Sequence, residues 1–384
     1  MRITCPRKTM AAAVKMAVAA CASKPPFDKV ILSVDSGAAT FHGESHSMRQ
    51  SIVLPEEETT VEGRDGTWAL DAGRLQGILK LSGPSVTVST LKEGHTSGDD
   101  LAFSVGRSAI QLRSIATMPP LDEEQPQAWS PVDGQLLAMA LKACSHAQAT
   151  TEDRWELQGV HLSIGDDRLI CASTDRSRVF CVDVADAVGS AGQSWRVTIP
   201  GQLVGSLVTL GLGLGVSLGL VKDGFGKPAR LHAKSASGVS LSGLLIAAEY
   251  PPYDRVLRPQ DNRFTVVVSR GELAECAEAA KALGHEACVM ISPSAENLSV
   301  VGRAREGHVT TILDTRGWAA HGGADAEVSS VAADYLAQAL SAMALFDCHF
   351  VELSVTRGSP LLVKGMGGGV SPMAAIGERW FGGY

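Results

Sequence analysis

A helix-like stretch that runs straight into an alternating strand occurs three times in this chain, at nearly equal intervals. Leu75, Ile78 and Leu79 lead to Val86 and Val88; Leu203, Leu207 and Leu210 lead to Val216 and Leu218; Leu336, Leu340 and Met343 lead to Val351, Leu353 and Val355. Apolar residues three and four apart share one face of a helix, and those two apart share one face of a strand. Leu75 and Leu203 lie 128 residues apart, and Leu203 and Leu336 lie 133 apart. Repetition on that scale changes how every motif is read. A residue needed for chemistry is rarely wanted three times, whereas a wall element is.

A chain of 384 residues suffices for two to three domains, each with its own core. The net charge of −7 argues against dense coating of DNA, which needs many Lys and Arg to displace counterions. The charge is uneven, however. Residues 1–121 carry 13 basic against 12 acidic side chains, residues 122–257 carry 11 against 15, and residues 258–384 carry 10 against 14. A locally basic surface therefore remains compatible with the total. The eight cysteines are scattered without a CxxC pair, so buried reduced thiols are expected, with no metal site, cofactor or disulfide framework. No apolar run approaches the roughly 18 residues of a membrane span. Arg2, Arg7 and Lys8 ahead of an Ala/Val/Met stretch loosely imitate a signal peptide, but Lys15 interrupts it. An amphipathic helix is the better reading, with Met10, Val14, Val18 and Cys21 on one face and Lys8 and Lys15 on another.

The patterning predicts an α+β fold of three repeated domains, residues 1–121, 129–257 and 262–384, the last with a C-terminal extension. In each, two helices pack on mostly antiparallel sheets. Helices are expected at Arg74–Leu81, Leu203–Leu210, Arg270–Leu283 and Asp334–Ala344. Ser130-Pro131 reads as the cap and first turn of a further helix. Strands are expected at Arg2–Thr4, Lys29–Ser33, Ser51–Leu54, Val160–Ile164, Leu169–Thr174, Val179–Val184 and Phe264–Val268, with two more closing the chain.

Several motifs match enzymes on paper only. Gly215-Val216-Ser217-Leu218-Gly219 fits a nucleophile elbow, but a helix precedes it and Ser217 falls inside an alternating strand, the reverse of the order that exposes a nucleophile. Gly226-Lys227 is followed by Pro228 where a phosphate loop needs Ser or Thr. Asp347-Cys348-His349 places neighbours on opposite faces if extended. No catalytic or metal-ligating set emerges.

Three other segments are more specific in combination. Thr174-Asp175-Arg176-Ser177-Arg178-Val179 is a charged hairpin between two buried strands. Tyr250-Pro251-Pro252-Tyr253-Asp254-Arg255-Val256-Leu257 joins a turn to two aromatics and an apolar exit. Val370-Ser371-Pro372-Met373 stands at the corresponding end of the last block. With Lys24-Pro25, Gly106-Arg107-Ser108 before Leu112, and Arg154-Trp155 with Leu157 and Gly159, the chain resembles the bacterial sliding clamps, the β subunits of DNA polymerase III, over essentially its whole length.

That resemblance implies a non-catalytic, cytoplasmic processivity factor: a head-to-tail homodimeric ring with helices lining a hole through which double-stranded DNA passes without sequence readout. Its implied DNA-facing residues are Lys24, Arg74, Lys80, Arg154 and Trp155, joined by Lys8, Lys15 and Lys142 from helix phase. The implied partner-peptide groove is formed by Leu157, Thr174, Arg178, Val179, Pro251, Arg255, Val256, Val370, Pro372 and Met373. It would receive the DNA polymerase III catalytic subunit, the clamp loader and other proteins carrying a clamp-binding motif. The alternative is a non-clamp repeat-built scaffold that binds a ligand or protein. The chain departs from the family's pattern at Arg176-Ser177, in the acidic Glu272, Glu275 and Glu278, and in running on through Trp380, Phe381 and Tyr384. Trp380 and Phe381, as apolar anchors tethered near the implied groove, are expected to compete with partner peptides for it.

Overall fold

The computed structural model describes the chain except residues 23, 26, 92–99, 115–123, 166, 190–193, 211–214, 262, 295, 322–327, 357, 368–369 and 379–384. One order of elements recurs three times. The first pass runs β1 (Arg2–Pro6), α1 (Arg7–Ala20), β2 (Lys29–Asp35), β3 (Ala38–Glu44), β4 (Met48–Val53), β5 (Thr60–Glu62), β6 (Gly66–Asp71), α2 (Ala72–Leu79), β7 (Ser85–Thr90), β8 (Leu101–Val105) and β9 (Ser108–Leu112). The second runs β10 (Ser130–Val132), α3 (Gly134–Cys144), β11 (Gly159–Gly165), β12 (Arg168–Thr174), β13 (Arg178–Val184), β14 (Trp195–Pro200), α4 (Gly201–Leu210), β15 (Val216–Lys222), β16 (Pro228–Ser235) and β17 (Val239–Leu244). The third runs β18 (Arg263–Ser269), α5 (Arg270–Lys281), β19 (Cys288–Pro293), β20 (Asn297–Ala304), β21 (Gly307–Asp314), β22 (Gly317–His321), β23 (Ser329–Ala332), α6 (Ala333–Ala344), β24 (Phe350–Val355), β25 (Leu361–Met366) and β26 (Ser371–Ile376).

These elements form two compact units, residues 1–135 with 205–245, and residues 136–204 with 246–384. The first unit holds a five-stranded sheet ordered β5-β1-β7-β8-β9 and an eight-stranded sheet ordered β10-β15-β16-β17-β4-β3-β2-β6. The second holds a nine-stranded sheet ordered β14-β11-β12-β13-β26-β25-β24-β18-β22 and a four-stranded sheet ordered β21-β20-β19-β23. The two large sheets each splice strands of two successive repeats by an antiparallel pair, β17 with β4 and β13 with β26.

Local chemistry explains the helix positions. Asp71 caps α2, its carboxylate accepting from the Arg74 N–H at 2.9 Å. That bond, with Lys29 and Arg74 nearby, holds the Asp71 carboxyl below its usual range. Ser269 caps α5 through the Glu272 N–H. In α1 the buried residues are Met10, Ala13, Val14, Ala17 and Ala20, leaving Lys8 and Lys15 exposed. The buried face is thus rotated toward the alanines relative to the sequence expectation, with Val18 and Cys21 only half-buried. Close packing is the reason. A Cβ at Gly43 of β3 would lie 1.6 Å from the Ala17 carbonyl oxygen, so helix and sheet meet backbone to backbone there.

Two expectations about elements need correction. Ser130-Pro131 does not start a helix; it belongs to β10, at the edge of its sheet, where a missing N–H costs no ladder bond. The chain also closes with three strands instead of two. Ala374, Ala375 and Ile376, which follow the Pro372-Met373 motif directly, are buried in β26 between β13 and β25. The extension's aromatic residues, Trp380, Phe381 and Tyr384, lie outside the described residues.

Candidate functional site

The splice between β13 and β26 carries apolar side chains on one face. Because opposed residues in an antiparallel pair share a face, Cys181 stands beside Met373 and Val179 beside Ala375. Ala172, Leu257 and Leu362 complete this buried cluster, and Ile170, Tyr253 and Met373 pack against its margin. Burial pushes the Cys181 thiol up to about 12, so it serves as a small neutral floor residue.

Two segments rise over that floor. The first is the β12–β13 hairpin, in which Thr174 and Asp175 hold the turn in shape. Thr174 Oγ1 donates to the Arg178 carbonyl at 2.7 Å and accepts from the Arg176 N–H at 3.1 Å. One Asp175 carboxylate oxygen accepts from the Ser177 and Arg178 N–H groups at 3.0 and 3.1 Å, and the other from Arg178 Nε at 3.1 Å. These are the Asx and Ser/Thr turns that short polar side chains favour. Arg176 sits at φ 75°, a left-handed conformation in which a side chain is strained.

Arg178 is a hub within the unit. Its side chain is only 10% exposed. Besides Asp175 it donates to Gln338 Oε1 on α6 at 2.7 Å and to the His146 carbonyl just beyond α3, and its guanidinium lies 4.1 Å over the Tyr335 ring. Gln338 in turn donates to Asp334 at 2.7 Å. A planar five-donor group suits this task better than an ammonium would.

The second segment is the turn at residues 250–257. Tyr250 stacks on His161 at 4.8 Å, and Tyr253 meets both rings edge-on. Burial, with Arg196 nearby, pulls His161 down to about 4, and burial raises both phenols, so all three rings are neutral near pH 7. Behind this aromatic layer Pro251, Pro252 and Val256 face a cleft of about 270 Å³, closed opposite by Thr174, Arg176, Ser177, Arg178 and Val179 and along its floor by Tyr253, Pro360, Ala375 and Gly377. The end of β26 is fastened to the hairpin by the Gly377 N–H donating to the Ser177 carbonyl at 2.8 Å, and a Cβ at Gly377 would lie 2.9 Å from that oxygen.

Of the ten groove residues expected from the sequence, five line this cleft: Thr174, Arg178, Val179, Pro251 and Val256. Leu157 is buried in a 3₁₀ turn, Arg255 is exposed beside the cleft, and Met373 packs at the margin of the floor cluster. Val370 and Pro372 are not among the residues that line it. Pro372 packs on the other face of the sheet, since a Cβ at Gly365 would fall 2.7 Å from Pro372 and 2.8 Å from Cys348. The strand period of two puts Met373, Ala375 and Gly377 on the cleft side. Extending that alternation past the Pro-Met pair would have found Ala375 and Gly377, two of the lining residues that the motif reading did not include.

The expected DNA-facing residues divide as well. Lys24, Arg74 and Lys80 are exposed, as are Lys8, Lys15 and Lys142. Trp155 is 55% exposed. Arg154, however, donates to the Asp175 carbonyl at 2.6 Å, which turns it toward the hairpin.

No protein-family model matches the chain. A β sliding clamp of Synechococcus elongatus is 24% identical over 212 residues, a match spanning 54% of this chain and 55% of that relative. Solved structures match far more completely. The DNA polymerase III β chain of Streptococcus pneumoniae superposes with a TM-score of 0.84 at 18% identity, covering 99% of this chain and all of that one. The β subunits of Streptococcus pyogenes and Pseudomonas aeruginosa give TM-scores of 0.83 and 0.82 at 18% and 17% identity, with the same coverage. The cleft and its hairpin therefore stand on a chain whose fold, from end to end, is that of the DNA polymerase III β sliding clamps.

Proposed function

We propose that this chain is a DNA sliding clamp, a non-catalytic processivity factor that closes around duplex DNA and tethers a polymerase to it. The observation that carries the proposal is the coincidence of a clamp fold over 99% of the chain with an apolar cleft built from the hairpin and the Pro251–Val256 turn. In this reading the three repeats are three domains, residues 1–121, 129–257 and 262–384, and two copies join head to tail. Two sheet edges that are unpaired among the described residues support such pairing. β9 ends the five-stranded sheet and β21 ends the four-stranded one. Exposed Arg107 and Arg113 flank β9, while Glu272, Glu275, Asp314 and the 66%-exposed Ile312 gather around β21. An unpaired edge is a template for a partner strand, and opposite charge favours the heterologous pairing.

Duplex DNA would then pass through the ring against Lys8, Lys15, Lys24, Arg74, Lys80 and Lys142. Few, exposed phosphate contacts hold DNA without arresting it. The cleft would take short apolar segments of the polymerase catalytic subunit, the clamp loader and other clamp-binding proteins, anchored by side chains entering a dry floor. Light scattering tests the assembly: a particle near twice 40.2 kDa is expected. Long synthesis by a replicative polymerase on a primed circle tests the role. A monomer that leaves product length unchanged would contradict both.

A further inference from the structure

The cleft's floor is apolar, but its exposed rim is cationic. Arg176 projects from the hairpin with 64% of its side chain exposed, held only by a long 3.4 Å contact with Glu156 among the described residues. Beside the opposite wall, next in the chain to the lining Val256, Arg255 is exposed and makes no ion pair among the described residues. Arg258 is exposed too, but Asp254 occupies it at 2.9 Å. The one carboxylate in the turn of the hairpin, Asp175, is committed to Arg178 and to two backbone N–H groups. Positive charge on both sides of an apolar slot, without an available anion in that turn, defines the complementary ligand.

We infer that the cleft selects short apolar segments flanked by acidic residues. The inference rests on the reading of the cleft as the partner site and adds what distinguishes one partner from another. Apolar side chains enter over Val179, Ala375 and Val256, and flanking carboxylates meet Arg176 and Arg255. The Glu156 contact does not prevent this, because a long exposed ion pair holds weakly and a peptide carboxylate can replace it. Rim charges mainly set association rate and discrimination. Their influence extends roughly 10 Å at 0.1 M salt and fades above it.

The experiment is fluorescence anisotropy with the full-length chain and three labelled ten-residue peptides. All share a Leu/Phe core and carry Asp-Asp, Asn-Asn or Lys-Lys at both ends. Affinity is expected to fall from Asp to Asn to Lys, with about a tenfold span at low salt that narrows as NaCl is added. In the R176E/R255E variant the order should invert. Both residues are exposed, so that variant retains its fold, and the wild-type salt titration reads the same effect without any substitution. Equal binding of the three peptides, with no salt dependence, would overturn the acidic-flank inference and leave the cleft as a peptide site. Binding of none of them would overturn the partner-site reading itself.

Discussion

The two large sheets are spliced in the same way, yet the splices present different faces. Where β17 meets β4, one face pairs Ser240 with Ser51 and Ser242 with Arg49. Arg49 is bridged to Glu44 at 2.9 Å, and His42 lies between Ser33 and Ser51 at 2.7 and 2.8 Å. Where β13 meets β26, the corresponding pairs are Cys181 with Met373 and Val179 with Ala375. The first face satisfies itself through polar partners; the second gains only by covering apolar surface. Topology is shared, and the side chains on the splice decide which one carries an apolar cleft.

The largest expected effect comes from removing what holds the second splice in shape. Arg178→Ala strips the ion partner from a largely buried Asp175 and leaves Gln338 and the His146 carbonyl without their donor. A cost of about 3 kcal/mol follows. Hydrogen exchange should localise the loss to peptides of residues 136–204 and 246–384, with β2–β4 unchanged; uniform loosening of both units would break the distinction drawn between them.

Next in size is a change that spares the fold. Val256 is 41% exposed at the cleft. Val256→Asp should weaken an apolar peptide by roughly 2 kcal/mol, because a carboxylate there must be desolvated when the peptide binds. Thermal stability should hardly move. Undiminished peptide affinity, measured by calorimetry, would show that the cleft is not where peptide binds.

Acid probes the buried rings. His146 and His161 in the second unit and His42 in the first are each held down to about 4, chiefly by burial. The unfolded chain takes up these protons near pH 6.5, whereas the folded one does so only near 4. Stability is therefore complete above about pH 6.5 and falls as pH drops toward 4. Urea midpoints across that range should show the fall, and His161→Gln should flatten it. An unchanged slope would mean that His161 is already charged against Tyr250.

The smallest effect concerns Arg176. Relieving its left-handed backbone with Arg176→Gly should stabilise the hairpin by at most about 1 kcal/mol, less the loss of the weak Glu156 contact. A lowered melting temperature would show that the side chain contributes more to the rim than its exposure implies.

How much of this was legible in the sequence depended on period and edges. β11 alternates, β12 and β13 are short apolar runs on either side of a polar turn, and Thr174 and Asp175 close that turn with local hydrogen bonds, so strands and hairpin were readable. β3 was missed because Ala-Ala-Thr-Phe-His-Gly-Glu is poor in β-branched residues, its place being fixed by the contact of Gly43 with α1. β26 was missed because Ser-Pro-Met-Ala-Ala-Ile contains a proline and lacks alternation; pairing with β13 and β25 overrides both. The cleft inherits that error. Pro372-Met373 drew attention as a motif, while the floor is made by Ala375 and Gly377, whose importance lies in being small.

The central claim is topological, and retention on DNA tests it most directly. The chain is incubated with a bacterial clamp loader, ATP and a nicked circular plasmid and passed through gel filtration at about 0.5 M NaCl, where ordinary phosphate contacts are screened. The account predicts that it co-elutes with the circle, leaves after a single linearising cut, and stays when both ends of the linear DNA are blocked by bulky caps. Retention that ignores linearisation, or release by salt from the intact circle, would contradict it.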